Sequence, residues 1–302
     1  MKTQSIYKMV ACCGLCLMNS ALAEGSAVTD SANTHVIAVV EKIEMPSFEM
    51  ACDFCARQLT YGLVDNRDPI MTLEAVAGWY GVTFETALIF DTTKWGRKHG
   101  GYGNREGKYQ EFAFGPGYSY AFSPDDVSFL PTTVETFINY IYEYHPQVRK
   151  ARGEENPNTQ FINVGVALPD LWLTPALSAE FDIDNESGAV YLCAEVGHTF
   201  VLVSAVGEGE TAPLSLSVGA GVGFGNPKRN MYDAEFDSYA FKDVWTSAAL
   251  EWQITDNIML SPYVAIYEQL HHRLREAARG YINGETHAST QFIGGIRLAA
   301  SF

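Results

Sequence analysis

The sequence predicts an all-β chain folded as a single transmembrane antiparallel β-barrel of about twelve strands. Three observations point there. The last residues alternate strictly: Phe292, Gly294, Ile296, Leu298, Ala300 and Phe302 share one face, and Gln291, Ile293, Gly295, Arg297, Ala299 and Ser301 the other. A period of two is the mark of a strand. Short turns and long polar loops take turns along the chain, which is the plan of bacterial outer-membrane barrels. The face opposite the apolar one is small or acidic and nearly free of lysine, whereas a soluble exterior carries mixed charge of both signs.

The N-terminus reads as a secretory signal over residues 1–23. Lys2 and Lys8 open it, an apolar stretch from Met9 to Met18 follows, and Ala21-Leu-Ala23 has the small-x-small form of a cleavage site. The apolar stretch is too short to span a bilayer as a helix. Cys12, Cys13 and Cys16 would leave with it. Residues 24–47, with the short apolar run Val36-Ile-Ala-Val-Val40, read as an N-terminal extension, either periplasmic or a plug in the barrel mouth. Residues 48–302 then form the outer-membrane barrel.

Within it the strands are expected near 50–64, 70–80, 82–92, 108–122, 133–145, 158–169, 174–184, 188–203, 212–225, 240–254, 257–270 and 288–302. In the third, Val82, Phe84, Leu88 and Phe90 oppose Thr83, Glu85, Ala87 and Asp91. In the ninth, Leu214, Leu216, Val218, Ala220, Val222 and Phe224 oppose Ser215, Ser217, Gly219, Gly221 and Gly223. The first strand slips phase near Arg57-Gln58, which predicts a bulge. Tyr80-Gly81, Pro169–Pro175, Glu208–Pro213 and Thr255–Asn257 are short turns on one rim. Thr93–Gly107, Pro146–Asn158, Asn226–Tyr239 and His271–His287 are long loops on the other, where Asp65–Asp68 and Asp184–Ser187 are short for their rim, and Ser123–Thr133 is long for the first. Trp79, Tyr80, Tyr118, Tyr120, Tyr140, Tyr142, Tyr144 and Trp252 lie near strand ends, where an interfacial aromatic girdle or a set of core aromatics would sit.

Charge narrows the function classes. The chain has 36 acidic and 20 basic residues, and loss of the leader removes two lysines only. Such an acidic chain lacks the basic footprint of a nucleic-acid binder. The three remaining cysteines, Cys52, Cys55 and Cys193, are not a disulfide framework. Cys52-Asp-Phe-Cys55 lacks a second pair for zinc, so these are either free thiols or part of a local or Cys193-linked disulfide.

The stretch Gln58-Leu-Thr-Tyr-Gly-Leu63, then Pro69-Ile-Met-Thr-Leu73 and Gly81-Val-Thr-Phe84, resembles the opening of the TorF-type porins, a family of bacterial outer-membrane barrels. Glu111, Gly117-Tyr118, Asn163-Val-Gly165, Pro175, Phe181-Asp-Ile-Asp184, Tyr191 and the final strand continue the likeness over residues 48–302. Three features depart from that family: Thr60-Tyr61-Gly62 stands where an Arg commonly precedes the Gly, and the chain adds a CxxC and an extended N-terminus. The resemblance implies a channel and brings no catalytic residues.

The candidate lumen-lining residues are Glu74, Glu85, Glu111, Glu135, Glu180, Glu195 and Glu251, all on the non-apolar face, opposed by Arg57 and Arg297 on the first and last strands. Carboxylate rings favour cations. The same groups would also serve as an ion-pair and water network filling a narrow lumen. Phe302 is expected to act as the assembly signal. No metal or cofactor is expected, because none of the seven histidines has ligand spacing and Gly219-Ala-Gly-Val-Gly-Phe-Gly225 opens no helix. The expected partners are outer-membrane lipids, the barrel-assembly machinery, and small solutes or cations passing through passively, with no nucleic acid. Two other readings are an outer-membrane lipid-modifying enzyme seeded at His198-Thr199, and a structural or surface-recognition barrel with a blocked lumen.

Overall fold

A computed structural model describes residues 46–302, apart from 61–62, 67–68, 93–108, 125–126, 128–129, 146–157, 185–186, 204–213 and 281–288. The proposed signal, nearly all of the N-terminal extension, and the loop residues Arg97 and Arg152 therefore lie outside the described residues. The elements in chain order are β1 (Ser47–Cys55), β2 (Gln58–Thr60), β3 (Leu63–Asn66), β4 (Ile70–Trp79), β5 (Val82–Asp91), β6 (Tyr109–Phe122) and β7 (Val134–Tyr144). Then come β8 (Thr159–Ala167), β9 (Ala176–Asp182), β10 (Val190–Val203), β11 (Leu214–Gly225) and a helix, α1 (Pro227–Ala234). The chain ends with β12 (Ala240–Thr255), β13 (Ile258–Gln269), a second helix α2 (His272–Gly280), and β14 (Thr290–Ser301).

Twelve of these strands close into one antiparallel barrel. Sequence neighbours pair in turn from β4 round to β14, and β1 closes the ring between β14 and β4. At the seam the backbones of Phe48 and Phe302 exchange hydrogen bonds of 3.2 and 2.8 Å. The even strand count puts both ends of the barrel on the rim of the short turns. Two of those turns are tight. Tyr80 and Gly81 both take positive φ, 50° and 78°, as a two-residue hairpin turn requires. A Cβ on Gly81 would also run into the Ser119 carbonyl, which accounts for glycine there. Asp256-Asn257 makes the other. On the same rim, Asp170 accepts the Thr133 amide at 3.0 Å and the Thr132 hydroxyl at 3.3 Å. Hydrogen bonding from Thr133 and Thr132 holds its carboxyl below the usual range.

Burial separates the two faces of the wall and says which is outside. Met50 is 50% exposed and its neighbour Ala51 only 6%. Phe48, Phe54, Phe84, Ile138, Leu177, Val264, Ile296 and Leu298 share the exposed face, while Glu74, Asn139, Glu180 and Ser217 are buried on the other. The exterior is therefore apolar and the interior polar, the inverse of a water-soluble barrel. A closed sheet has no unpaired edge, so such a wall satisfies every ladder group without water. This is the architecture of an outer-membrane β-barrel. Trp79, Tyr80, Tyr118, Tyr120, Phe122, Trp172, Trp252 and Phe302 are exposed near the short-turn rim, and Tyr239, Phe241 and Phe292 near the other. Exposed aromatics thus lie toward both rims, as at the two membrane interfaces. Tyr140, Tyr142 and Tyr144 face outward too and are half-buried.

Three elements differ from what alternation alone suggests. The first strand is not one bulged strand over 50–64. It ends at Cys55, and β2 and β3 form a separate two-stranded hairpin in the connection to β4. The phase slip at Arg57-Gln58 marks that break. The second difference is a bulge in β12: Phe241 pairs with Phe224 and Val244 with Val222, so Lys242 and Asp243 together oppose the single residue Gly223. A bulge of this kind lets two consecutive side chains point inward, and both are fully buried. Third, two long loops hold helices. Asn226 caps α1 by accepting the Arg229 amide at 2.9 Å, with Pro227 at the first turn and Glu235 in the left-handed conformation (φ 54°) closing it.

Candidate functional site: the polar interior

Three groups of charged residues line the inner face. The first lies at the seam. Asp53 on β1 stands directly across the ladder from Arg297 on β14. Arg297 reaches past β1 and donates to Glu74 on β4 at 2.5 Å, with both side chains nearly buried. Tyr263 on β13 donates to Asp53 at 3.0 Å. Its ring lies over Gly295, where a Cβ would collide with it. Arg57 is elsewhere. It has left the sheet and donates to Gln291 at 2.9 Å, near the long-loop rim. Gln291 and Arg297 are six residues apart on β14, roughly 20 Å at about 3.4 Å per residue. Arg57 and Arg297, expected on the first and last strands, are thus two separate cations at different heights, because β1 stops before Arg57.

The second group is acidic and runs over the wall from β4 to β10. Glu74, Glu85, Asp91, Glu111, Glu135, Glu143, Glu180, Asp182 and Glu195 all occupy inward positions there, and Glu251 does so on β12. Glu85, Glu74 and Glu111 form a staircase rather than a ring: they stand level with residues 85, 87 and 89 of β5. Each step is roughly 7 Å. His145, just past β7, has its ring nitrogens 3.3 Å from Glu143 and 3.8 Å from Glu111. Ser215 donates to Glu251 at 3.1 Å.

The third group sits at the long-loop mouth, beneath α1. Arg229 donates to Glu180 on β9 at 3.3 Å, and Lys242 on β12 pairs with Asp233 of the helix. Tyr191 on β10 donates to Asp243 at 3.0 Å. Asn230 ties the helix down, donating to the carbonyls of Gly225 (2.9 Å) and Ser238 (2.7 Å). Phe236, just after α1, stacks on His271 at 4.4 Å, beside α2. Sequence reasoning missed Arg229, Lys242, Asp233 and Asp243. The only signal for Lys242 and Asp243 was that Phe241 and Val244, three apart, share a face.

The interior also has apolar content. Ile70, Ile89, Ile141 and Ile293 belong to one buried cluster with Trp245, Tyr263 and Tyr267. Gly219 and Gly221 make room for Trp245: a Cβ on Gly221 would fall against the indole. The glycine run is therefore a packing groove on a strand, not a phosphate loop. Cys52, Cys55 and Cys193 are free thiols. Three residues apart on a regular strand, Cys52 faces out and Cys55 in, so the CxxC forms no disulfide. Among the described residues no group of three or more His, Cys, Asp and Glu is arranged to hold a metal. His198 faces outward, donates through Nδ1 to the Trp172 carbonyl at 2.6 Å, and packs against the rings of Trp172 and Phe200. Thr199 points the other way, to the Ser217 hydroxyl at 2.8 Å.

No family model matches the chain, and no curated protein matches it in sequence. Its barrel is similar to an outer membrane channel from Pseudomonas putida F1, at 9% identity and a TM-score of 0.46, over 89% of this chain and 100% of that one. It is also similar to OmpF of Salmonella typhi, in complex with daunomycin, at 8% identity and a TM-score of 0.35, over 85% of this chain and 97% of that one. A third likeness is to the outer membrane channel DcaP of Acinetobacter baumannii, at 8% identity and a TM-score of 0.34, over 85% and 96% of the two chains. At such scores none of the three bears on what this chain does.

Proposed function

We propose that the chain is an outer-membrane channel for passive passage of small solutes or ions, cation-preferring, of the kind the TorF-type porins represent. The observation that carries this is the excess of inward carboxylates from β4 to β10. The inward cations among the described residues are few: Arg297 is balanced by Glu74, Arg229 and Lys242 by Glu180 and Asp233, and Arg57 donates to the neutral Gln291. A net negative interior concentrates cations. Trp245, Tyr263 and Tyr267 are large side chains buried in the interior, so on this reading the passage is narrow and its solutes small. On this reading Glu74, Glu85, Glu111, Glu135, Glu180, Glu195 and Glu251 line the passage, bilayer lipids surround it, and the assembly machinery inserts it.

Reversal potentials of refolded protein in a planar bilayer under a salt gradient test the proposal. Wild type is expected to prefer cations, and E85Q/E111Q to move toward non-selectivity. The effect should shrink at 1 M salt, where the Debye length falls to about 3 Å from roughly 10 Å at 0.1 M. Anion preference in the wild type would refute the acidic passage. A second reading, a barrel with a blocked lumen whose loops do the work, is favoured by the buried isoleucine and aromatic cluster. Absence of any conductance selects that reading.

A further inference from the structure

Helix α1 is built the wrong way round for a permanent fixture. Its buried residues are Arg229, Asn230 and Asp233, whereas Met231 and Tyr232 are 46% and 54% exposed. A helix packed for good onto a barrel turns its apolar side inward. This one is held by ion pairs and hydrogen bonds: Arg229 to Glu180, Asp233 to Lys242, and Asn230 to two carbonyls. Contacts of that kind are replaced by water when the helix leaves, so detachment forfeits little apolar burial.

What lies beneath points the same way. Glu180, Asp182, Lys242 and Asp243 are each 4% exposed or less, although they are charged groups near the long-loop end of the barrel interior. Asn163, opposite Glu180 on the ladder, is fully buried, and neither its amide oxygen nor its amide nitrogen has a hydrogen-bond partner. Water reaching this wall would satisfy that amide. The ends of α1 are suited to a swing: Asn226 forms the near pivot, bonded to Val190 and Gly188 of the neighbouring strand end, and Glu235 reverses the chain at the far one.

We infer that α1 is a detachable lid on the long-loop mouth, latched by the Arg229–Glu180 and Lys242–Asp233 pairs. Its detachment stands on the contacts above; its role in gating rests on the channel reading. The test combines hydrogen exchange by mass spectrometry with planar-bilayer recording on refolded full-length protein. Heat-modifiable gel mobility serves to confirm that each variant has folded. In E180Q/D233N the amides of residues 227–234 are expected to exchange at least tenfold faster than in wild type, with strand amides unchanged, and open-state conductance or open probability to rise. R229Q, which alters only the helix, should act in the same direction without touching the wall. The swapped pair R229E/E180R should restore slow exchange. Unchanged exchange in 227–234 overturns the latch. Faster exchange spread over β9–β12 also overturns it, because the pairs would then hold the wall and not a lid. Faster exchange confined to α1 with no conductance in any variant keeps the lid and rejects the channel.

Discussion

Arg297 shows what a single charge does inside this wall. It touches Glu74 two strands away and faces Asp53 on the strand between, so one guanidinium draws the first, second and last strands of the barrel together. Removing one partner of a buried pair leaves the other uncompensated, at a cost of about 3–5 kcal/mol. Asp53 stays opposite Arg297, so Glu74→Gln should fall near the low end, about 3 kcal/mol. The urea midpoint for loss of heat-modifiable mobility should drop accordingly, while D53N/E74M/R297M, which leaves no charge of the trio behind, should recover most of it. An unchanged midpoint for Glu74→Gln would mean that water already carries both charges. Arg297 and the carboxylates were legible in the sequence because they obey the period of two. Lys242 and Asp243 were not, because a one-residue bulge breaks that period. Arg229 and Asp233 come from a loop, where alternation says nothing about direction.

Among the elements, the closing strand carries the clearest expectation. Phe302 is 70% exposed on the apolar face, yet its backbone exchanges two hydrogen bonds with Phe48, and the two rings lie 6.4 Å apart. The residue completes both the ladder and the outer face at the seam. Phe302→Ser should lower the amount of folded protein recovered in the membrane, read as the heat-modifiable band in outer-membrane fractions. Normal abundance of that band would remove the closing role. The later strands were legible to within a residue or two, since one-sided burial in a closed wall imposes strict alternation. The hairpin of β2 and β3 was taken for the continuation of β1, because a short hairpin and a bulged strand carry the same apolar pattern. Helix α1 was invisible as a helix because its inward side is polar, which removes the 3.6-residue stripe that would announce it.

For the whole molecule, the asymmetry of the rims sets orientation. Both helices and the small hairpin gather on the rim opposite the start of β1 and the end of β14, and long loops belong outside the cell in barrels of this plan. Met231, exposed on α1, supplies a position to check it. Met231→Cys should react with a membrane-impermeant maleimide on intact cells. Reaction only after the outer membrane is breached would reverse the orientation. The strand count and the division into short and long connections followed from the sequence, because both are consequences of crossing a slab of fixed thickness. Whether the bore is wet did not follow, since the same carboxylates serve a solvated pore and a filled one.

The opposed directions of the cysteines have a practical consequence. Cys52 looks outward and is partly accessible, whereas Cys55 and Cys193 are buried on the inner side. The barrel therefore carries natural reporters on both sides of a wall one strand thick. A lipid-soluble thiol reagent would mark Cys52 from within the bilayer, while the other two become available only when the wall opens. Counting the thiols that react in a given solvent would then read out, without any added label, which side of the sheet that solvent has reached.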